Sequence, residues 1–270
     1  MRARILYICI AFFCLSPVSA GVLRETRAVW LTTYLGLDWP RSRGAERQKR
    51  ELCAMLDSLD RAGINTVLLQ TRLRASVIYP SSIEPWDEVF GGRNPGYDPL
   101  QFAIDECHRR GMQLHAWVVT MLAPNKRAFD PGLPATAQRI TSVVEEIVRR
   151  YDVDGIHLDY IRYPDREYNL NDNATYRRYG AHRNRAEWRR DNITQIVRQV
   201  HSTIKSIKPW VCLSSSPIGK RADLSRFSSR GWNAQVAVHQ DVVTWMREGL
   251  MDVIFPMMYF RGDQFFPFAL

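Results

Sequence analysis

The sequence predicts an α/β fold: a TIM-type (β/α) barrel truncated after about six βα strands. Three observations carry this reading. Apolar strand segments alternate with amphipathic helical segments, the pattern of parallel βαβ units. Helix-to-strand turns are short, as at Ala62-Gly63 and Arg110-Gly111, whereas strand-to-helix loops are long and rich in Trp, Tyr, Pro, Asp and Arg. In a barrel those long loops gather on the C-terminal face, where active sites sit. Finally, the first strand runs into Leu35-Gly36-Leu37-Asp38-Trp39-Pro40. That turn lacks the glycine fingerprint of a doubly wound dinucleotide fold.

The elements follow in order. Arg27–Tyr34 is the first strand, and Glu46–Ala62 an amphipathic helix stopped by Gly63. Ile64–Thr71 is the second strand, and a long loop follows with Glu84-Pro85-Trp86 and Gly91-Gly92. Pro99–Arg110 is a helix with Gly111 just beyond its end, the usual left-handed stop. Met112–Val119 is the third strand, Thr136–Tyr151 a helix and Asp154–Tyr160 the fourth strand. A polar, aromatic loop reaches to about Glu187, and Trp188–Ile207 is a helix. Trp210–Ser216 is the fifth strand, Val238–Gly249 a helix and Asp252–Tyr259 the sixth strand. Eight strands close such a barrel, so six leave two unpaired edges.

Residues 1–20 read as a signal peptide and 21–270 as the barrel. Arg2 and Arg4 precede an apolar run from Ile5 to Leu15, too short to span a bilayer, and Val18-Ser19-Ala20 offers small residues for cleavage. The expectation is export to the periplasm or cell envelope, with no membrane span after cleavage. Cys53, Cys107 and Cys212 would remain, an odd and scattered set that reads as buried apolar groups rather than a disulfide framework. The formal charge of +9 suits an anionic surface such as a cell-wall polymer, but most of it reads as a solvated surface with excess arginine. Arg177-Arg178, Arg183, Arg185 and Arg189-Arg190 sit among aromatics, but no nucleic-acid motif accompanies them and no such partner is expected.

Asp154–Tyr160 is the sharpest segment for chemistry. Residues 155, 157 and 159 share one strand face, with Asp159 near the exit, where barrel enzymes keep catalytic groups. A carboxyl in an apolar barrel has its pKa raised and can act as a general acid. Tyr160 and Arg162 beside it are groups that stack on and hydrogen-bond to sugars. Trp30, Arg72, His115, Trp117, His157 and Tyr259 add aromatic and polar groups from the other strands as substrate-binding candidates. His115 and His157 lack HxH or HExxH spacing, so neither a metal nor a cofactor is expected. There is no nucleophile elbow, P-loop or kinase signature.

Several motifs, in order and spacing, resemble the family 10-like glycosyl hydrolase domain: Arg27–Thr33, Pro95-Gly96-Tyr97-Asp98-Pro99-Leu100, Leu114-His115-Ala116-Trp117, Asp130-Pro131-Gly132, Tyr151–Tyr160 and Ser216-Pro217-Ile218-Gly219. The resemblance runs from about Arg24 to Leu270. It implies a TIM barrel, envelope localisation and hydrolysis of glycan strands such as peptidoglycan stripped of its peptides. It also implies that Asp159 is the catalytic carboxylate and that Arg72, His115, Trp117, Tyr160 and Tyr259 line the subsites. The chain departs from the family in the short stretch Leu122–Phe129 before Asp130, and in stopping where family barrels continue.

Glycoside hydrolysis usually needs two carboxyl groups. Glu84, Asp87, Asp165, Glu167 and Asp263 are open candidates for the second. In barrels that use the substrate's own acetamide as nucleophile, a DGxDxDxE strand ends in Glu; here that position is Ile161, so Asp159 itself would be the acid. The expected function is cleavage of a β-linked amino-sugar glycan. The alternative is glycan binding without catalysis or an inactive truncated homologue.

Overall fold

A computed structural model describes residues 25–168, 170–223 and 232–259. The expected leader at 1–20 and Asp263 lie outside the described residues. The centre is a six-stranded sheet, hydrogen-bonded in the order β1 (Ala28–Leu31), β2 (Thr66–Arg72), β3 (Gln113–Val119), β6 (Gly155–Asp159), β7 (Cys212–Ser215), β8 (Val253–Ile254). Every pairing is parallel, and each strand lies beside the one that precedes it in this set. A doubly wound sheet reverses its order at a switch point; this one never does, so it curls as an arc of a barrel. Among the described residues β1 and β8 are the edges of the arc. The remaining strands, β4 (Leu122–Ala123) and β5 (Arg127–Ala128), form a small antiparallel hairpin in the loop after β3.

The helices are α1 (Ala45–Arg61), α2 (Pro99–Arg109), α3 (Pro134–Arg150), α4 (Asn173–Tyr179), α5 (Arg185–Ile207) and α6 (Val242–Arg247). Their starts are written locally. Asp98 caps α2 by accepting from the Leu100 and Gln101 amides, with Pro99 in the first turn. Asn184 caps α5 in the same way, through the Ala186 and Glu187 amides. α3 buries Ala137, Ile140, Val144, Ile147 and Val148, the spacing of one helical face. These side chains meet Leu69, Ala116, Val118, Ile156, Leu158 and Leu213 from the outer face of the sheet in one continuous apolar core. At about 1.5–3 kcal/mol for each fully buried large apolar side chain, this layer is the main stabilising term.

Two stretches differ from the sequence reading. The loop expected up to Glu187 contains α4, and α5 begins at Arg185, because Asn184 supplies a cap upstream of the first core residue, Trp188. The last helix and strand are shorter than expected: α6 covers Val242–Arg247 and β8 only Val253–Ile254. Among the described residues β8 is paired on one side only, which limits its ladder.

Candidate active site

Because side chains alternate along a strand, the face opposite the apolar core carries Trp30, Leu68, Gln70, His115, Trp117, Gly155, His157, Asp159 and Ser214, matched across the strands by register. Only glycine fits at 155: a Cβ there would come within 2.5 Å of the His115 ring. Over the C-terminal strand ends lies a cavity of about 350 Å3, walled by Thr32, Gln70, Trp117, Asp159, Tyr160 and Arg162 among others. Asp159 is the only carboxylate lining it among the described residues.

The Asp159 carboxylate is held on both oxygens. Trp117 Nε1 donates to Oδ2 at 3.0 Å, and the Tyr160 amide donates to Oδ1 at 2.7 Å. Its backbone carbonyl accepts from the Thr120 amide and hydroxyl, each at 2.9 Å. Loss of water around the carboxyl raises its pKa above the usual Asp value; the Tyr160 amide, Arg162 and the Trp117 indole oppose that rise without cancelling it. Tyr160 turns the chain at φ 51°, a left-handed conformation uncommon for a residue with a side chain. Immediately beyond, the Arg162 guanidinium lies 4.4 Å from the Tyr160 ring centroid and 5.7 Å from that of Trp232, and pairs with Asp165 at 3.2 Å. Trp232 Nε1 also donates to Asp165. Tyr160 and the half-exposed Trp232 therefore form an aromatic flank joined through Arg162.

His157 sits behind this floor, fully buried. Trp30 Nε1 is a pure donor and lies 3.2 Å from His157 Nε2, so Nε2 accepts. Nδ1 then carries the proton and donates to Ser214 Oγ at 2.9 Å, while Ser216 Oγ, 2.7 Å from Nε2, shares the single lone pair there with the Trp30 indole. Burial lowers the His157 pKa to about 3, with His115 adding to the effect. The ring is a neutral strut between strands. Trp30 and Phe255 close edge-on around it.

Five expected substrate-binding residues, His157 among them, are placed away from the cavity lining. Arg72 does not face the cavity. The β2–β3 register slips by one residue between Gln70 and Arg72, so Arg72 pairs with Val118 on the helix side. There it is fully buried, forked onto Glu84 at 2.7 and 2.8 Å and bonded to the Val119 and Thr120 carbonyls. His115 lies a layer below Trp117, against Gly155, buried and kept neutral by that burial. Trp30 serves His157 rather than the cavity wall. Tyr259 is 87% exposed and outside the cavity. Trp117, Asp159, Tyr160 and Arg162 are brought together. Arg74, Tyr34 and Thr32 line the cavity too and were missed. A strict two-residue alternation through β2 points at Arg72, and only the slip hands that position to the residues after it.

Three of the other acidic candidates are engaged. Glu84 is held by Arg72 and Arg139. Asp87 accepts from the Val89 amide and Ser76. Asp165 holds Arg162 and Trp232, and Glu167 is exposed beyond the cavity. Among the described residues no cluster of three His, Cys, Asp or Glu is placed to hold a metal ion, and no helix is long and apolar enough to cross a membrane.

A barrel arc that sets a carboxylate among indole, phenol and guanidinium groups at its C-terminal strand ends has the build of a barrel-type glycoside hydrolase. The chain belongs to the glycosyl hydrolase-like 10 family, whose profile matches residues 25–128 and 118–268. It is 37% identical over 285 residues to the glycosyl hydrolase DigH of Escherichia coli K12, covering 86% of this chain and 65% of DigH. It is 34% identical over 277 residues to the glycosyl hydrolase YngK of Bacillus subtilis 168, covering 87% of this chain and 54% of YngK. The chain thus spans under two thirds of either relative. Among solved structures, the glycoside hydrolase domain of PgaB (BpsB) from Bordetella bronchiseptica superposes with a TM-score of 0.60 at 12% identity, covering 87% of this chain and 74% of that one. Alpha-L-fucosidase isoenzyme 2 from Paenibacillus thiaminolyticus gives 0.53 at 17% identity, over 73% of this chain and 34% of that one. These likenesses establish a fold of TIM-barrel type.

Proposed function

We propose that the protein is an exported glycosidase of the cell envelope that cleaves a β-linked amino-sugar glycan, peptidoglycan strands stripped of peptides, with Asp159 as the acid. The observation that carries this reading is the setting of Asp159: a carboxyl with a raised pKa on the floor of an aromatic-walled cavity, with no direct ion pair among the described residues. Such a group holds its proton until a glycosidic oxygen accepts it. Trp117 orients the carboxyl, and Tyr160, Arg162 and Trp232 offer faces and donors to the sugar rings. The localisation rests on the leader-like segment at residues 1–20.

One observation favours a second reading, binding without turnover: Asp159 has no partner carboxylate in the cavity among the described residues. Purified glycan strands separate the two. Release of shorter products by the wild-type chain, lost in Asp159→Asn while retention on immobilised strands persists, is the expected result. Equal product release by both proteins would remove Asp159 from the role of acid, and retention with no release by either would leave the binding reading.

A further inference from the structure

A second hollow, about 1130 Å3, adjoins the cavity of about 350 Å3 over Asp159. It lies between the loops that follow β1 and β2, and the two share Tyr34, Leu73 and Arg74 as a common wall. A linear molecule seated over Asp159 therefore continues into it. Four arginines line the groove, Arg41, Arg43, Arg74 and Arg93, against two carboxylates, Asp87 and Glu88. Arg41 is turned onto the Leu37 carbonyl, at 3.0 and 3.2 Å. Asp87 is occupied by Val89 and Ser76. Arg74 lies 4.7 Å from the Tyr34 ring centroid and forms no ion pair among the described residues. Arg43 and Arg93 are exposed and engage no partner among the described residues. Several arginines elsewhere are matched to carboxylates: Arg110 to Glu106 and Asp57, Arg189 to Asp172, Arg198 to Glu248. The groove thus keeps a cationic surplus that its own side chains do not consume.

We propose that this groove is an anion-binding extension of the cleft that takes the carboxylates of acidic sugar units lying along the glycan from the bond over Asp159. The planar fork of a guanidinium matches a carboxylate in shape and charge. Arg74, stacked on Tyr34 at the junction, meets the first such unit, and Arg43 and Arg93 meet those further out. This deepens the glycosidase reading and rests on it for the identity of the chain that enters.

The test uses the full chain and the R43A/R93A double variant, whose substituted positions are both exposed, with circular dichroism confirming the fold. The probes are peptide-free peptidoglycan strands and the same strands with their carboxyl groups reduced to alcohols. In low salt the wild type is expected to bind the native strands about 10-fold more tightly than the reduced ones, the gap closing as salt screens it. In R43A/R93A the gap is expected to shrink to within roughly threefold. Equal affinity of the wild type for both probes, or an undiminished gap in the double variant, overturns the proposal. Turnover is read in parallel. A gap that depends on the two arginines, with no product from either probe, upholds the groove while refuting the glycosidase. Failure to bind either strand sinks both.

Discussion

Two acidic centres, Glu84 fully buried and Asp159 partly so, stand at the strand ends of this barrel arc, and they are built oppositely. Glu84 is enclosed with Arg72 and Arg139, each contact at 2.7–2.8 Å, on the helix side of the sheet. Asp159 lies on the cavity side with an indole and an amide as its donors and no directly paired cation. The first arrangement matches charge with charge and ties the β2 loop to β3 and α3. The second leaves a carboxyl whose pKa is raised by loss of water and which faces a space of about 350 Å3. Burial alone therefore does not distinguish a reactive acid from a structural one; the kind of partner does.

The comparison can be broken in four ways. The largest expected effect is on turnover: Asp159→Asn should lower glycan hydrolysis by about 10²–10⁴-fold, the usual worth of a positioned general acid, as read by product release. Next is stability. Arg72→Met should cost about 3–5 kcal/mol by stranding Glu84 in the interior, a fall of some 2–4 °C in melting temperature for each kcal/mol, seen by calorimetry. If that variant melts like the wild type, Arg72 and Glu84 are not the clamp described.

The third test turns on sign. The Asp159 pKa is raised on folding, so its contribution is fully present below the unfolded value, about 3.9, and is lost as pH rises through the folded value. Asp159→Asn has no such loss. Its melting temperature relative to the wild type should rise as pH increases, and a relative fall instead would contradict a raised pKa at this position. The smallest effect concerns tuning. Trp117→Phe removes a donor to the ionised carboxyl and so raises the Asp159 pKa further. The alkaline limb of the pH–rate profile should move to higher pH, with no change in the acid limb.

Much of the sheet was legible because strand and helix periods and the Gly63 and Gly111 stops are local signals. The position of Asp159 was legible for the same reason: it follows from alternation within one strand. Arg72 was misread because a one-residue slip depends on the partner strand, which no local pattern records. His115 and His157 share the inner face of the sheet, but depth along the barrel axis separates them from the cavity, and depth comes from register. Trp232 was invisible as a wall because it approaches Arg162 from 70 residues downstream. Arg43, Arg74 and Arg93 read as ordinary surface charge until folding sets them around one hollow.

The slip in β2 has a consequence for how such a protein changes over time. Deleting the extra residue at Thr71 would bring Gln70 and Arg72 into simple alternation and leave Arg72 opposite Val118, on the side of its clamp. The loss of one codon at this point is thus absorbed by the bulge, and the rivet keeps its side of the sheet.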